Sequence, residues 1–436
     1  MSEKTHYRTL AIHSQSTRPG SLYDFSSRTE QAYDSRALTL PNLAVVGLSN
    51  AIDPAYERYL KDVLKVNVPD SIVPEVSGIS LSQRFLTDKK APRKLRDKQQ
   101  EVGMPFALSV FDVTDTERKL LDRLDQEIQI FPEVNFDQAV LLGNKAGFRS
   151  FCSKTGIPQF EGGIFSTIED LKTFLADHPF TVVKHPVGTA GDGLNFTTPA
   201  NPATKDNFTT WQKWMTHGKV VAEVFNPGGD EYSLHTYGDP VIKKGKTKGI
   251  YKQLAKKTDD GSLAHYGVMY PIANKAHLQR LTTLGEEQLI PALEKADYTG
   301  PACVDVIIDD SLSQPIHTME LNARAGANMY LHRMAEQVGE SLYANPNVAF
   351  MSLVGLPHDT TSFAEFSEKF ADVLAPKENG TLVLTNPGRH AFGSYDVMAI
   401  SPHGVEEAEK ILFDGIVQIW GRDKAEEFFA KIYQRS

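Results

Sequence analysis

Short apolar runs alternate with amphipathic stretches over residues 1–138, a pattern typical of a small α/β layer domain. Residues 43–49 predict a buried parallel strand, and residues 106–111 predict a second one. A helix is expected over about 114–128, where Thr-Asp-Thr-Glu opens an amphipathic stretch. Residues 1–38 are polar and weakly periodic, so the pattern predicts a partly ordered N-terminal arm ahead of this domain.

Residues 139–345 contain most of the chemically informative positions and are predicted to form the central domain. A helix that begins at Lys145 should end at Gly156, because glycine readily adopts the left-handed conformation that closes a helix. Ser166 and Glu169 have the spacing of a capping box and predict the start of another helix. The predicted strands of this domain are 180–184, 220–225, 302–308 and 316–321.

Lysines are concentrated at 241–257 between β-branched and aromatic positions, which predicts a solvent-exposed hairpin. The last part of the chain, 346–436, returns to an α/β pattern and ends in a helix. The expected fold class is therefore α/β, with an N-terminal part at 1–138, a central part at 139–345 and a C-terminal part at 346–436.

Composition narrows the classes of function. The formal net charge of −9 argues against general binding of nucleic acid, because phosphate contacts need a basic surface. Two cysteines in 436 residues predict a reduced, cytoplasmic protein and not a disulfide scaffold. No signal peptide and no apolar run of membrane-spanning length is expected from the sequence.

The last two predicted strands of the central domain carry the most specific arrangement of polar residues. If they pair symmetrically about their turn, Asp305 lies opposite Glu320, and Asn322 shares their face. Opposed residues have Cβ atoms about 5 Å apart, so the two carboxylates would repel each other without a cation between them. Hard oxygen ligands favour Mg²⁺, with Mn²⁺ as the alternative. A solvated acidic face is the competing interpretation, but the flanking apolar residues indicate burial.

A glycine-rich loop follows the strand that ends in Lys184. Gly188, Gly191 and Gly193 would let backbone N–H groups approach a phosphate, and Lys184 would add a positive charge. Lys145 is a second candidate cation. A loop of this kind is a weak signal by itself, and it lacks the Gly-Lys-Ser/Thr of the Walker pattern.

The strand at 220–225 and the turn after it are candidates for contacting a nucleoside. Peptide groups and alternate side chains at Glu223, Val224 and Phe225 could read the edge of adenine. Glu231 could accept hydrogen bonds from ribose hydroxyls. Each assignment is poorly specific alone, and the order of these residues along the chain makes them informative.

That order of lysines, glycine loop, acidic strand and late Asp and Glu-x-Asn resembles the ATP-grasp superfamily over about residues 139–345. The resemblance implies an ATP-grasp fold with a preceding α/β domain and a small C-terminal α/β segment. It also implies ATP and Mg²⁺ as cofactors, activation of a carboxylate as an acyl phosphate, and transfer of the acyl group to an amine or thiol. Small-molecule carboxylate and amine substrates are therefore expected.

The resemblance also implies a role for each candidate residue. Lys145 and Lys184 would contact the ATP phosphates, and the glycine loop would close over them. Glu223, with Val224 and Phe225, would hold adenine, and Glu231 would hold the ribose. Two Mg²⁺ ions would be held by Asp305, Glu320 and Asn322.

The sequence departs from one class of ATP-grasp enzyme at the position of a catalytic arginine. D-alanine–D-alanine ligases carry an arginine two residues before the first metal carboxylate, and Cys303 stands there in this chain. Arg324 resembles the arginine of the biotin-carboxylase-type Glu-x-Asn-x-Arg arrangement and is the candidate for stabilising an oxyanion together with backbone N–H groups. Lys184 is the second candidate catalytic residue. His332 and Arg333, on the following predicted helix, are candidates to meet a substrate carboxylate.

A narrower resemblance rests on the segment 393–412 together with the domain order. It is similar to pheganomycin-type peptide ligases and to the carrier-protein ligase of the butirosin pathway, which implies an amino-acid or peptide amine, or a carrier-protein thiol, as acceptor. The alternatives are a non-catalytic ATP-binding module, a small-molecule kinase and a bicarbonate-activating carboxylase. A nicotinamide-dependent dehydrogenase is disfavoured, because the glycine fingerprint is missing. A homodimer is the default expectation for assembly.

Overall fold

A computed structural model describes residues 6–13, 34–40, 42–76, 80–187, 193–225, 229–257, 263–357, 359–360, 362–386 and 393–433. Seventeen strands and fifteen α-helices lie within these ranges. The strands are β1 Arg8–Ile12, β2 Leu43–Gly47, β3 Asp70–Ile72, β4 Phe106–Val110, β5 Ile130–Pro132, β6 Gly162–Phe165, β7 Thr181–Lys184, β8 Leu194–Thr197, β9 Val220–Val224, β10 Asp230–Gly238, β11 Gly245–Lys257, β12 Leu263–Tyr270, β13 Gly300–Ile308, β14 Ile316–Asn322, β15 Ala349–Pro357, β16 Thr381–Leu384 and β17 Ser394–Ser401.

The α-helices are α1 Pro54–Arg58, α2 Leu81–Thr87, α3 Ala91–Val102, α4 Asp115–Asp125, α5 Phe136–Gly143, α6 Lys145–Thr155, α7 Ile168–Asp177, α8 Lys205–Met215, α9 Lys275–Thr283, α10 Ile290–Lys295, α11 Ala327–Tyr343, α12 Phe363–Lys369, α13 Ala371–Leu374, α14 Val405–Trp420 and α15 Arg422–Tyr433. A 3₁₀ helix at Asp34–Thr39 and π-helical turns at Tyr59–Val63 and Leu284–Leu289 complete the helical segments of the described residues.

The N-terminal part forms a five-stranded parallel sheet in the order β3-β2-β1-β4-β5. The prediction of an N-terminal arm over 1–38 is therefore wrong for Arg8–Ile12, which is the central strand. Leu10, Ala11 and Ile12 have no exposed surface, because helices and loops cover both faces of a central parallel strand. The run is only five residues long and is flanked by polar positions, so periodicity over a longer window did not show it.

Local sequence signals were reliable where a helix begins or ends. Helix α4 begins where it was predicted, and Thr114 and Glu117 form a capping box there. Helix α6 begins at Lys145, and Gly156 closes it at φ 74°, as expected. The capping box predicted at Ser166 is wrong by one residue, because the Thr167 hydroxyl accepts the N–H of Asp170 and begins α7.

A four-stranded antiparallel sheet in the order β6-β9-β7-β8 forms the first half of the central part. Helices α7 and α8 supply its apolar cover, with Leu171 and Trp211 completely buried. This sheet has a hydrophobic core of its own, separate from the two larger clusters of the molecule. It is therefore a distinct layer, and Lys184 at the end of β7 contacts the Met319 carbonyl of the larger sheet.

The larger sheet is antiparallel, with eight strands in the order β14-β13-β10-β11-β12-β15-β17-β16. The exposed hairpin predicted at 241–257 is wrong, because β11 is an inner strand that pairs with β10 and β12. Ile250, Tyr251 and Leu254 of this strand are buried, although lysines stand two positions from Ile250, at 248 and 252. The sheet continues through β15, β17 and β16 into the C-terminal part. The predicted domain boundaries at 138/139 and 345/346 stay predictions.

Candidate active site

The pairing of β13 with β14 places the predicted metal ligands side by side. Asp305 lies opposite Glu320, and Cys303 lies opposite Asn322, so the predicted register is confirmed at these positions. Nearer the turn the register is shifted by one, because Val306 pairs with Thr318 and leaves a bulge at Met319. The bulge is what brings Glu320 opposite Asp305.

Three oxygen-bearing side chains converge on this face of the sheet. The Asn322 amide Nδ2 lies 3.3 Å from Asp305 Oδ2 and 3.3 Å from Glu320 Oε1. Gln253, from the inner strand β11, donates from Nε2 to Asp305 Oδ1 at 2.7 Å. Two carboxylates and an amide on adjacent strands form the donor set that suits a hard divalent cation such as Mg²⁺.

The electrostatics of this face also fit a cation. Burial raises the pKa of Asp305 to about 6, although the charge of Lys145 and the Gln253 amide act to lower it. Burial, followed by the charge of Asp305, raises the pKa of Glu231 to about 7. The carboxylates therefore ionise at the expense of desolvation and mutual repulsion, and a divalent cation between them would offset both. In the described part of the chain no group of three or more His, Cys, Asp or Glu side chains has metal-site geometry. The role of Asn322 as a third ligand stays a prediction.

Both predicted lysines reach this face and both are buried. Lys145, the first residue of α6, forms an ion pair with Glu320. Lys184, the last residue of β7, lies 2.5 Å from Glu223 Oε2 and donates to the carbonyl of the bulged Met319 at 3.0 Å. Lys145 is 9% exposed and Lys184 is 2% exposed, which excludes the alternative of a freely solvated lysine.

The strand expected to read adenine is already engaged in other contacts. The carboxylate of Glu223 is held by Lys184 and by Arg149, whose Nη1 lies 2.8 Å from Oε1. The backbone N–H groups of Val224 and Phe225 donate to loop carbonyls at 2.8 and 2.9 Å. Contact of these residues with adenine stays a prediction, and their backbone N–H groups would have to exchange partners to take part in it.

The glycine loop lies mostly outside the described residues, including Gly188 and Gly191. Gly193 is described, and its φ of 78° is a conformation that favours glycine. Its carbonyl accepts the N–H of His185 at 2.7 Å, which closes the base of the loop directly after Lys184. The loop therefore begins and ends beside the buried lysine.

Arg324 joins this region to the N-terminal sheet. Its Nη1 lies 2.9 Å from Asp112 Oδ1, and its guanidinium lies over the ring of Phe111, 4.6 Å from the ring centre. Cys303, which replaces the arginine of one related pattern, is buried, and its Sγ lies 3.0 Å from the Ser233 hydroxyl. Burial raises the pKa of the Cys303 thiol, so it supplies no positive or negative charge at neutral pH.

Arg333 and His332 lie on α11 and contact Glu336. Arg333 Nη1 is 3.0 Å from Glu336 Oε2, and His332 Nε2 is 3.5 Å from Oε1. The His332 ring also packs against Tyr270, with ring centres 4.7 Å apart. A role for either residue in binding a substrate carboxylate stays a prediction.

Three residues of the site were missed by sequence reasoning: Gln253, Arg149 and Asp112. Each contacts a predicted site residue through its side chain. Arg149 follows Lys145 by four residues on α6, a spacing that places both on one helix face and could have indicated it. Nothing in the local pattern singles out Gln253 or Asp112.

No protein-family model matches the chain, and no curated protein matches it. Solved structures with a similar fold include the ADP complex of an N5-carboxyaminoimidazole ribonucleotide synthetase. It is 14% identical, covers 98% of this chain and 100% of that chain, and has a TM-score of 0.59. The ADP complex of N5-carboxyaminoimidazole synthetase from Staphylococcus aureus is 13% identical over 94% of this chain and 98% of that chain, with a TM-score of 0.57.

Biotin carboxylase from Campylobacter jejuni is 12% identical over 89% of this chain and 90% of that chain, with a TM-score of 0.57. Identities this low show the fold alone. Among the described residues, no helix has the length and apolar character needed to cross a membrane. The expected α/β fold class is confirmed, and the chain has the ATP-grasp fold.

Proposed function

We propose that this protein is an ATP-dependent, ADP-forming ligase that activates a small-molecule carboxylate as an acyl phosphate and joins it to an amine. One observation carries the proposal. The oxygen ligands Asp305, Glu320 and Asn322 share a face with two buried lysines that arrive from α6 and β7. Buried cations next to convergent carboxylates are a suitable arrangement for a metal–nucleoside triphosphate.

The ADP complexes among the solved structures of similar fold support a nucleotide as the ligand. The contacts of Lys145 and Lys184 favour a binding cleft between the two antiparallel sheets. Asp305, Glu320 and Asn322 would hold Mg²⁺, which would stabilise, as a Lewis acid, the negative charge that develops during phosphoryl transfer. Lys145 and Lys184 would bind the phosphates, and Glu231 would accept from the ribose hydroxyls. Gly188, Gly191 and Gly193 would let the backbone close over the phosphates and exclude water.

The proposed reaction has two steps. A substrate carboxylate oxygen attacks the γ-phosphorus, the bond to the β-phosphate oxygen breaks, and ADP leaves. The acceptor nitrogen then attacks the acyl carbon, the C–O bond to phosphate breaks, inorganic phosphate leaves, and the amine loses a proton to solvent. Lys184 would orient the transferred phosphoryl group, and Arg324 would stabilise the tetrahedral oxyanion of the second step.

The proposal also specifies the chemical class of the acceptor. The similarity of 393–412 to peptide ligases and to a carrier-protein ligase favours an amino acid or peptide amine, with a carrier-protein thiol as the alternative. A cytoplasmic location agrees with two free, buried cysteines. A homodimer remains the expected assembly, and a non-catalytic ATP-binding module is the rival function.

A second candidate function is activation of bicarbonate. The arrangement Glu320-x-Asn322-x-Arg324 and the likeness in fold to proteins named as biotin carboxylases favour it. Bicarbonate would occupy the place of the organic carboxylate and give a carboxylated amine. Incorporation of radiolabelled bicarbonate into product, in the absence of any organic acid, would distinguish this reaction from amide ligation.

The experiment that tests the proposal measures ADP release and hydroxamate formation with ATP, Mg²⁺, hydroxylamine and a panel of carboxylic acids. Hydroxamate from one class of acid, lost in Glu320→Gln, is expected. Glu127→Gln is the matched control, because Glu127 pairs with Arg123 at 2.9 Å in the N-terminal part. ADP release that depends on Glu320 but gives no hydroxamate would indicate a kinase and overturn the proposal. ATP binding without turnover, tested with candidate carrier proteins included, would favour the non-catalytic module.

A further inference from the structure

Helix α6 is tied by charged side chains to both antiparallel sheets. Its first residue, Lys145, pairs with Glu320 of the eight-stranded sheet. One turn later, Arg149 pairs with Glu223 of the four-stranded sheet. Residues four apart lie on the same helix face, so one face of α6 contacts both walls of the proposed nucleotide cleft. The proposed function uses Lys145 but leaves Arg149 without a role.

The contacts of Arg149 are specific and buried. Nη1 lies 2.8 Å from Glu223 Oε1, and Nη2 donates to the Phe160 carbonyl at 3.1 Å. Gly162 pairs with Glu223 between β6 and β9, and a Cβ atom there would lie 3.1 Å from Arg149 Nη2. The guanidinium therefore lies close beside a position that carries no side chain. The side chains of Arg149 and Glu223 are 9% and 3% exposed, so solvent screens the pair little.

The charges in this cluster do not balance. Glu223 contacts two cations, Arg149 through Oε1 and Lys184 through Oε2. One carboxylate between two buried cations leaves an excess of one positive charge beside Met319 and the candidate metal face. The carboxylates of Asp305 and Glu320 offset this excess charge in the structure, and when they hold a divalent cation a phosphate would offset it instead. If Arg149 were absent, Glu223 would neutralise Lys184 alone, and no excess would remain for a phosphate.

We propose that Arg149 is a positioning residue that acts through Glu223. By sharing that carboxylate, it keeps the charge of Lys184 available to the phosphates of a nucleoside di- or triphosphate, while Glu223 still orients the lysine. The inference rests on the proposed function only in taking a nucleotide as the ligand. The assignment of Glu223 as a residue that contacts adenine is replaced by one in which its side chain distributes charge.

The test measures equilibrium binding of ADP and ATP with Mg²⁺ by calorimetry, which needs no turnover. Arg149→Met should weaken binding about ten- to a hundredfold, because a charge-assisted contact is lost and Lys184 is left paired with Glu223 alone. Arg149→Lys should retain binding within about fivefold. The double variant Arg149→Met with Glu223→Gln should bind about tenfold more tightly than Arg149→Met alone, because Lys184 is released. A purely structural role for Arg149 predicts no such rescue.

The matched control is Arg123→Met, which removes an arginine–glutamate pair with a 2.9 Å contact in the N-terminal part and should leave binding unchanged. Unchanged ADP binding in Arg149→Met, or a double variant that binds no better than Arg149→Met, would overturn the inference. If Arg149→Met alone does not fold, Glu223→Gln is compared with the double variant. Near-equal binding then supports action through Glu223, and a tenfold loss overturns it.

The two proposals fail in different ways. Wild-type protein that binds ADP but forms no hydroxamate with any acid would overturn the ligase function and leave the role of Arg149 standing. Wild-type protein that forms hydroxamate, with ADP binding unaffected by Arg149→Met, would overturn the role of Arg149 alone. Wild-type protein that binds neither ADP nor ATP would overturn both.

Discussion

Arg324 and Asp112 connect the end of β14, the strand of the candidate metal ligands Glu320 and Asn322, to the carboxyl edge of the five-stranded parallel sheet. Arg324 Nη1 lies 2.9 Å from Asp112 Oδ1, and both side chains are 11% exposed. The ion pair fixes the orientation of the planar guanidinium of Arg324, and it thereby also fixes the directions of the other guanidinium N–H groups. The contact therefore aligns the N-terminal sheet with the proposed site of acyl transfer.

Arg324→Met should lower kcat far more than Asp112→Asn, because an oxyanion-stabilising donor is worth about 10²- to 10³-fold in kcat. Asp112→Asn keeps a hydrogen-bond acceptor for the guanidinium and should cost about tenfold. The measurement is steady-state ligation with the acid identified by the hydroxamate screen. Equal losses in the two variants would mean that Arg324 only holds the domains together.

Gln253→Leu should lower activity about ten- to a hundredfold and raise the Mg²⁺ concentration needed for half-maximal rate, because supporting hydrogen bonds orient metal ligands. Gln253 is the donor to Asp305 Oδ1 at 2.7 Å. Gln99→Leu is the matched control, since the Gln99 amide donates to the Gln129 carbonyl at 2.6 Å in the N-terminal part. Magnesium titrations that coincide for Gln253→Leu and wild type would argue against this role.

Metal dependence can be checked without catalysis. ADP should raise the melting temperature in Mg²⁺ and much less after chelation with EDTA, because only ligands that bind the folded state stabilise it. Asn322→Leu should abolish the Mg²⁺-dependent part of the shift, since it removes one of three oxygen donors on this face. An identical shift with and without EDTA in the wild type would contradict the proposed metal site.

Leu10→Ala should destabilise the protein by about 2–5 kcal/mol, because it leaves a cavity in the central strand of the parallel sheet. Leu10 has no exposed surface. His6→Ala, at an exposed position just before the strand, is the control and should change the free energy of unfolding by less than about 0.5 kcal/mol. Denaturant unfolding measures both, and a neutral Leu10→Ala would favour a loose N-terminal arm.

Stability should fall below about pH 6.5 because of buried neutral histidines, of which His13 is one. Burial lowers the pKa of His13 to about 3, and its ring nitrogens contact the Tyr330 and Ser109 hydroxyls at 2.7 and 3.1 Å. An unfolded chain has the ordinary histidine pKa of about 6.5, so between this pH and about pH 3 the unfolded state binds a proton at His13 and the folded state does not. The stabilising contribution of neutral His13 is therefore complete above pH 6.5 and is lost as the pH falls.

The loss from His13 alone amounts to about 2 kcal/mol at pH 5 relative to pH 8. His13→Gln should be less stable at pH 8, because it disturbs a buried hydrogen-bonded site, but should have a flatter pH profile. His403→Gln, at an exposed position, should leave the profile unchanged. Parallel profiles for His13→Gln and wild type in urea unfolding would show that His13 does not titrate in this way.

Much of the candidate site could be predicted from sequence because its parts are local. A register symmetric about the turn predicts that Asp305 faces Glu320, although a bulge at Met319 is needed to produce this pairing. The start of α6 at Lys145 follows from the residues around it. Strand alternation failed for β11, since lysines on an inner strand resemble those of an exposed hairpin until the neighbouring strands are known.

The α/β class, the helices and strands with clear local signals, the opposition of Asp305 and Glu320 and the resemblance to ATP-grasp proteins were readable in the chain. Capping, alternation and turn chemistry act over a few residues, and so they leave a readable pattern. Tertiary packing alone places Arg8–Ile12 at the centre of a sheet. It alone decided that Arg149 contacts Glu223, that Gln253 contacts Asp305 and that Arg324 contacts Asp112. These partners are 74, 52 and 212 residues apart, and a contact made by packing of separate elements has no periodic signature in the chain.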